Sequence, residues 1–258
     1  MPDRKSLDKL YEKYSRRELV YPDPVGFLYD FENVADREIV GLIASSLAYG
    51  RVQQINKSVG SVLEKIKPSP LKFIERVTRE KLFNIFKGFK HRFTTDEELS
   101  LLIYAAKIAI EKHGSLENCF LSGFKNMDET VFPALDNFSK ELMCTCDICK
   151  NSLIPMPGKG SACKRQNLYL RWMIRQDNID PGGWNNALKS KLIMPIDTHI
   201  HKVSMNFGFT VRKNADMLAA LEITNAFRKL NPDDPVKYDF ALTRSSILND
   251  NDLKKILK

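Results

Sequence analysis

The stretch PGKGSACKRQNLYLRWMIR at residues 157–175 sets the fold class. Its first four residues hold Pro157, Gly158 and Gly160, a composition that breaks regular structure and lets the backbone turn closely against something else. From Ala162 to Arg175 no breaker intervenes, so a helix follows, carrying Lys164, Arg165, Arg171 and Arg175 and ending before Asp177-Asn178. On the N-terminal side, apolar residues keep the same helical period. Ile39, Leu42, Ile43 and Leu47 form one stripe, Ile55, Val59, Val62, Leu63 and Ile66 a second, and Leu99, Leu102, Ile103, Ala106 and Ile110 a third. Phe132, Leu135, Phe138 and Leu142 mark a further helix. Lys67-Pro68-Ser69-Pro70 stops a helix, and Thr94-Thr95-Asp96-Glu97 starts one, with a threonine cap and acids in the first turn.

On the C-terminal side, Asp180-Pro181-Gly182-Gly183 is a loop, which leads into a short helix predicted around Trp184 to Leu188. Ile196, Ile200, Val203 and Phe207 then recur at helical spacing, which predicts a helix from Thr198 to about residue 206, capped by Asp197 and ended by Gly208. Pro232-Asp233-Asp234-Pro235 reads as the start of a last helix. No run alternates apolar and polar residues long enough for a sheet, so the expected class is all-α.

The 258 residues are 43% hydrophobic, enough to fill a core, and the formal net charge of +8 favours an anionic partner. Residues 1–17 are dense in charge and lack a signal-peptide core, and no later stretch approaches the roughly 18 apolar residues of a membrane span. A soluble, cytoplasmic protein is expected. Five cysteines without a secretory signal argue for reduced thiols. Cys144, Cys146, Cys149 and Cys163 could together hold zinc or an iron–sulfur cluster, but the C-x-C opening is unlike a zinc knuckle, and free thiols are the expectation.

A glycine turn, a lysine just inside the next helix and an aspartate at the start of a later one form an unusual set. Backbone N–H groups of the turn and the helix start suit a DNA phosphate. This order resembles the helix-hairpin-helix DNA glycosylase superfamily, which includes endonuclease III and the 8-oxoguanine glycosylases. In endonuclease III the hairpin reads LPGVG, a lysine and an asparagine follow, and a VDTH-type segment supplies the aspartate. Here PGKG lies at 157–160, KRQNLYL begins at Lys164 with Asn167 in the matching place, and PIDTHIHKV spans 195–203. IASSLAYGRVQQINKSV at 43–59 is similar to the helix pair near that family's damage pocket.

The likeness departs in three places. Two extra residues separate Gly160 from Lys164, and Lys164 and Asp197 stand 33 positions apart, nearer the archaeal 8-oxoguanine glycosylases than endonuclease III. The last cysteine is Cys163, so endonuclease III's C-terminal cluster is absent.

The resemblance implies a two-lobed fold with an interlobe cleft, one lobe at 36–178 and the other formed by 1–35 with 179–258. It implies excision of a damaged base from double-stranded DNA, oxidised purines first, by a monomer without cofactor or metal. Lys164 is then the Schiff-base nucleophile and Asp197 stabilises the oxocarbenium-like sugar. Gly158, Lys159, Gly160, Ser161, Arg165 and His199 contact DNA, and Tyr49, Trp172 and Trp184 line the base pocket. Three other readings compete. A non-catalytic nucleic-acid-binding protein of this fold needs no lysine–aspartate pair. A monofunctional glycosylase uses Asp197 to activate water. The DTHIH stretch at 197–201 also looks like an amidohydrolase metal motif, which requires a strand end and a large α/β barrel that this sequence does not pattern.

Overall fold

Asp3 accepts a hydrogen bond from the Ser6 amide and so starts α1 (Arg4–Tyr14). The computed structural model, which describes residues 2–144, 151–248 and 250–256, continues through 3₁₀ turns at Arg17–Leu19 and Pro24–Asp30. Next come α2 (Val34–Ser46), α3 (Val52–Ile66), α4 (Pro70–Arg76) and α5 (Arg79–Phe86). A small antiparallel hairpin, β1 (Lys90–His91) with β2 (Thr94–Thr95), leads into α6 (Asp96–His113) and α7 (Leu116–Leu121). The chain goes on with α8 (Phe132–Cys144), α9 (Lys164–Ile174), α10 (Thr198–Asn206), α11 (Met217–Leu230), α12 (Asp239–Ile247) and α13 (Asn251–Ile256). Among the described residues no helix is long and apolar enough to cross a membrane.

The local signals explain most boundaries. Thr95 and Glu98 form a reciprocal capping box at the start of α6, and Gly114, at φ +86°, takes the left-handed residue that ends it. Ser69 caps α4, and Pro70 occupies its first turn. The expected helix at 198–206 is present, with Asp197 as its cap. Three details differ. The hairpin at 90–95 is a strand pair too short for alternation to reveal. Trp184 lies in extended chain, because Gly182 and Trp184 donate their amides to the carbonyls of Trp172 and Met173 and run along the end of α9. Residues 232–235 do not open a helix; α12 begins at Asp239, since Asp234 is drawn into an ion pair with Arg175.

The fold is mostly helical, around one continuous apolar core. α9 packs along α2, α5 on α6, and α7 and α8 against α6, while α1 packs on α12 and α13 and so brings the two ends of the chain together. Two buried polar assemblies tie these layers. In the first, Glu38 of α2 accepts the amides of Leu116 and Glu117 at the start of α7 and the Trp184 indole N–H at 3.1 Å. Burial raises the Glu38 carboxyl above its ordinary range, against the pull of these three donors. In the second, Arg171 of α9 and Arg175, which caps the end of that helix, both buried, meet Asp180, Asp234 and Asp239. Arg171 Nε lies 3.1 Å from Asp180 Oδ1, and Arg175 Nε 3.0 Å from Asp234 Oδ2. Asp177 joins at 2.9 Å from Arg175 and accepts from the Tyr11 hydroxyl of α1 at 2.8 Å.

Removing one carboxylate from this assembly leaves buried positive charge short of a partner. Asp180, fully buried between both guanidiniums, is the most exacting position. Asp180→Ala is expected to lower the unfolding free energy by about 3–5 kcal/mol in urea titrations followed by circular dichroism. A loss under about 1 kcal/mol would show that solvent reaches the arginines.

Candidate active site

Lys164 is the first residue of α9, and the turn before it sets its position. Pro157–Lys159 make one 3₁₀ turn, ended by Gly160 at φ +85°, and Cys163 precedes the helix at φ +47°. A side chain at Gly160 would sit in open space but in a backbone region that L-residues rarely adopt. The turn is anchored on both sides. Gly158 N–H donates to Asp136 Oδ1 of α8 at 2.8 Å, and Gly160 C=O accepts the Met217 amide of α11 at 3.0 Å. Asn167 closes it from inside by donating to the Ala162 carbonyl at 3.0 Å.

Asp197 comes from a different element. One of its carboxylate oxygens, Oδ1, accepts the amides of His199 and Ile200 at 2.9 Å each and so caps α10. The other, Oδ2, lies 3.1 Å from Lys164 Nζ. Burial alone would raise this carboxyl, but the Lys164 ammonium and the Ile200 amide outweigh it and hold it below the ordinary aspartate range. Neither partner is sealed off, since the side chains retain 34% and 19% exposure.

Both groups line a cavity of about 500 Å³. α9 contributes Lys164, Leu168, Arg171 and Trp172, while Asp239, Phe240 and Arg244 come from α12. Pro22-Asp23-Pro24 and the residues Ala48 and Gly50 form part of the wall opposite. Burial pushes Asp239 up to about 6 even though it is paired with Arg171. The cavity therefore presents one low-lying carboxylate, Asp197, and one raised carboxyl, Asp239, near a single amine. The Trp172 side chain is fully buried, and its indole N–H has no partner among the described residues. An amine against a carboxylate in a site open on one side suits nucleophilic attack with electrostatic support.

The structure brings Lys164, Asp197, His199 and Trp172 to this one cavity. His199 is exposed and its Nδ1 lies 3.3 Å from Ser246 Oγ. Other predicted site residues are placed elsewhere. Trp184 is in the core, stacked on Phe120 at 5.7 Å and edge-on to Tyr169 at 5.1 Å, because Glu38 captures its indole N–H. Tyr49 lies between the lining residues Ala48 and Gly50, but its hydroxyl turns away, donating to His91 C=O at 2.8 Å.

Arg165 braces the scaffold rather than facing the cavity. Its guanidinium donates to the carbonyls of Ser46 and Ser152 and sits 5.1 Å from the Tyr49 ring. Lys159, Gly160 and Ser161 are exposed, whereas the Gly158 amide is already committed to Asp136.

The DTHIH stretch is a helix start rather than a strand end, and His201 turns away from His199 to bond the Arg212 carbonyl through Nε2 at 3.0 Å. Among the described residues no group of three or more His, Cys, Asp or Glu could hold a metal ion. Cys146 and Cys149 lie outside the described residues. Cys163 is buried, which pushes its thiol up to about 11, while Cys144 is exposed.

Sequence reasoning missed Asp239, Arg171 and the 22–24 wall. Arg171 carried a usable signal, lying seven positions after Lys164 on the same face of α9. Asp239 carried none, because its partner is 68 residues away.

The family described as "Protein of unknown function (DUF2400)" matches residues 23–248, and the chain belongs to it. No curated protein and no solved structure matches the chain.

Asp197 has two separable roles, cap and charge. Asp197→Ala is expected to cost about 1–2 kcal/mol in thermal or urea unfolding at neutral pH, and Asp197→Asn, which keeps an accepting oxygen, clearly less. Equal losses would contradict the capping role. Because the folded carboxyl is depressed, its ionic contribution is present above the unfolded value of about 4 and disappears as pH falls further. The stability gap between wild type and Asp197→Asn should accordingly narrow below about pH 4.

Proposed function

We propose that this member of the DUF2400 family is a DNA base-excision glycosylase with AP-lyase activity, built on a two-lobed helix-hairpin-helix fold. Lys164 is the Schiff-base nucleophile and Asp197 the group that stabilises the sugar cation. The observation that carries the reading is the Lys164–Asp197 pair, 3.1 Å apart and partly exposed at a cavity of about 500 Å³. Two further features support it. The glycine turn, the Asn167 closure and the Asp197 cap stand in the order of that superfamily's motifs. The cavity is of a size that small ligands occupy.

A base inside a duplex cannot reach such a pair, so the nucleotide is extruded first. As the glycosidic bond breaks, its electron pair leaves with the base and the sugar gains positive charge. The Asp197 carboxylate, held ionised by its surroundings, opposes that charge without reorganising. Lys164 passes one ammonium proton to the departing base and bonds to C1′ through the freed amine; a second proton then moves from its nitrogen to O4′ as the C1′–O4′ bond breaks, which opens the ring to a protonated imine. Loss of a C2′ proton then expels the 3′ phosphate. Asp239 at the cavity wall pairs with Arg171 and holds that guanidinium in place beside the reacting groups. Oxidised purines are the first substrates to test, on the strength of the Lys164 to Asp197 spacing.

The test is borohydride trapping on duplexes carrying oxidised purines, oxidised pyrimidines, uracil or an abasic site. Wild type is expected to form a covalent adduct and nick abasic DNA. Lys164→Ala should form no adduct. Asp197→Asn should excise at least about 100-fold more slowly, the scale of losing one preorganised charge-stabilising group. Base release without adduct or nicking would make the enzyme monofunctional. Binding by all three proteins with no excision or adduct on any duplex would reduce the chain to a binding module.

A further inference from the structure

His201 belongs to the DTHIH stretch but takes no part in the chemistry above. It is buried, and its Nε2 donates to the Arg212 carbonyl at 3.0 Å. That bond is one of several that brace the loop between α10 and α11. Thr210, also buried, donates to Glu222 of α11 at 2.6 Å and accepts the Arg212 amide at 3.1 Å. Arg212 closes the loop on Asp216 through Nε at 3.1 Å and a terminal nitrogen at 2.7 Å. Asp216 in turn caps α11 by accepting the Ala219 amide at 2.9 Å.

The bracing holds a short stretch outward. Val211 is 90% exposed, more than any other large apolar side chain among the described residues, and Lys213 and Asn214 beside it are exposed too. Asp216 also forms a β-bridge with Ser161, and the Met217 amide meets the Gly160 carbonyl. Loop and glycine turn therefore make one surface, which presents Lys159 and Ser161 from the turn and Lys213 and Asn214 from the loop. Neither Lys159 nor Lys213 forms an ion pair among the described residues. The acids beside them are engaged: Asp136 by Lys140 and the Gly158 amide, Asp216 by Arg212, and Glu222 by Thr210.

We propose that the 210–216 loop is a second phosphate-binding element, docked on the glycine turn so that Lys213 and Lys159 hold two phosphates of one DNA duplex. The choice of duplex DNA rests on the glycosylase reading, but the loop lies beyond the 157–203 motifs that carry the resemblance. An ammonium is a compact charge that takes a phosphate without touching a base, so this grip is indifferent to sequence and to damage. Rigidity matters because a floppy loop gives up the gain in ordering itself, and His201, Thr210 and Asp216 supply that rigidity. Val211 adds an apolar contact with the sugar edge, which releases no counterion.

The test measures binding and uses no excision chemistry. Fluorescence anisotropy follows an undamaged duplex across a salt series, and the slope of log Kd against log salt counts the phosphates neutralised. Lys213→Ala and Lys159→Ala should each reduce that slope by about 1, and the double substitution by about 2. Val211→Ser should weaken binding about 3-fold with the slope unchanged. Lys229→Ala is the control, because this exposed lysine lies about 18 Å along α11 from Met217 and should alter neither quantity. Circular dichroism checks that the exposed substitutions leave the fold intact. The loop's role is overturned if wild type does not bind, if Lys213→Ala keeps the wild-type slope, or if Lys229→Ala lowers it equally. The expected slopes with no trapping of any lesion would remove the catalytic reading and leave the loop standing; trapping with an unchanged Lys213→Ala slope would do the reverse.

Discussion

Two buried arginines, one in the last turns of α9 and one capping its end, constrain everything around them. A guanidinium taken out of water needs carboxylates at close range, and leaving one unpaired costs several kcal/mol. Arg171 and Arg175 meet that need with Asp180 from the loop after α9, Asp234 from the 232–238 turn and Asp239 from α12. Asp177 links the same cluster to α1 through Tyr11. Such an assembly stabilises less than an apolar core of equal volume would, but it admits few alternative arrangements. It fixes the register of α9 against α12, and therefore where Lys164, two turns before Arg171, faces Phe240 and Asp239 across the cavity.

Asp239 and Arg171 belong both to this cluster and to the cavity wall. Charge in the site and stability of the fold are thus coupled. Asp197 shows the same economy, since one oxygen caps α10 and the other meets the lysine. Its helix start points the carboxylate at the amine, and the amide contacts that hold it also keep it ionised.

Local physics made most of the fold legible. The stripes at 39–47, 55–66 and 99–110 are helices because an apolar face must be buried once per turn. Thr95, Ser69 and Asp197 stand where capping chemistry requires them. Long-range polar partners decided the rest. Pro232-Asp233-Asp234-Pro235 has every mark of a helix start, and Arg175 overrides it by taking Asp234. Trp184 reads as a base-stacking residue until Glu38, 146 positions earlier, captures its indole. Arg165 reads as a phosphate contact until the Ser46 carbonyl claims it. The amine and carboxylate of the site, 33 positions apart, have no shared local pattern; only the resemblance of motif order joined them.

The central claim is that the Lys164 amine becomes covalently bound to a sugar carbon. Peptide mapping by tandem mass spectrometry of the borohydride-reduced complex locates that bond directly. The account predicts a deoxyribose remnant on Nζ of Lys164, in the peptide spanning the start of α9. A remnant on Lys159, on the α-amine of Met1 or on any other lysine would contradict it.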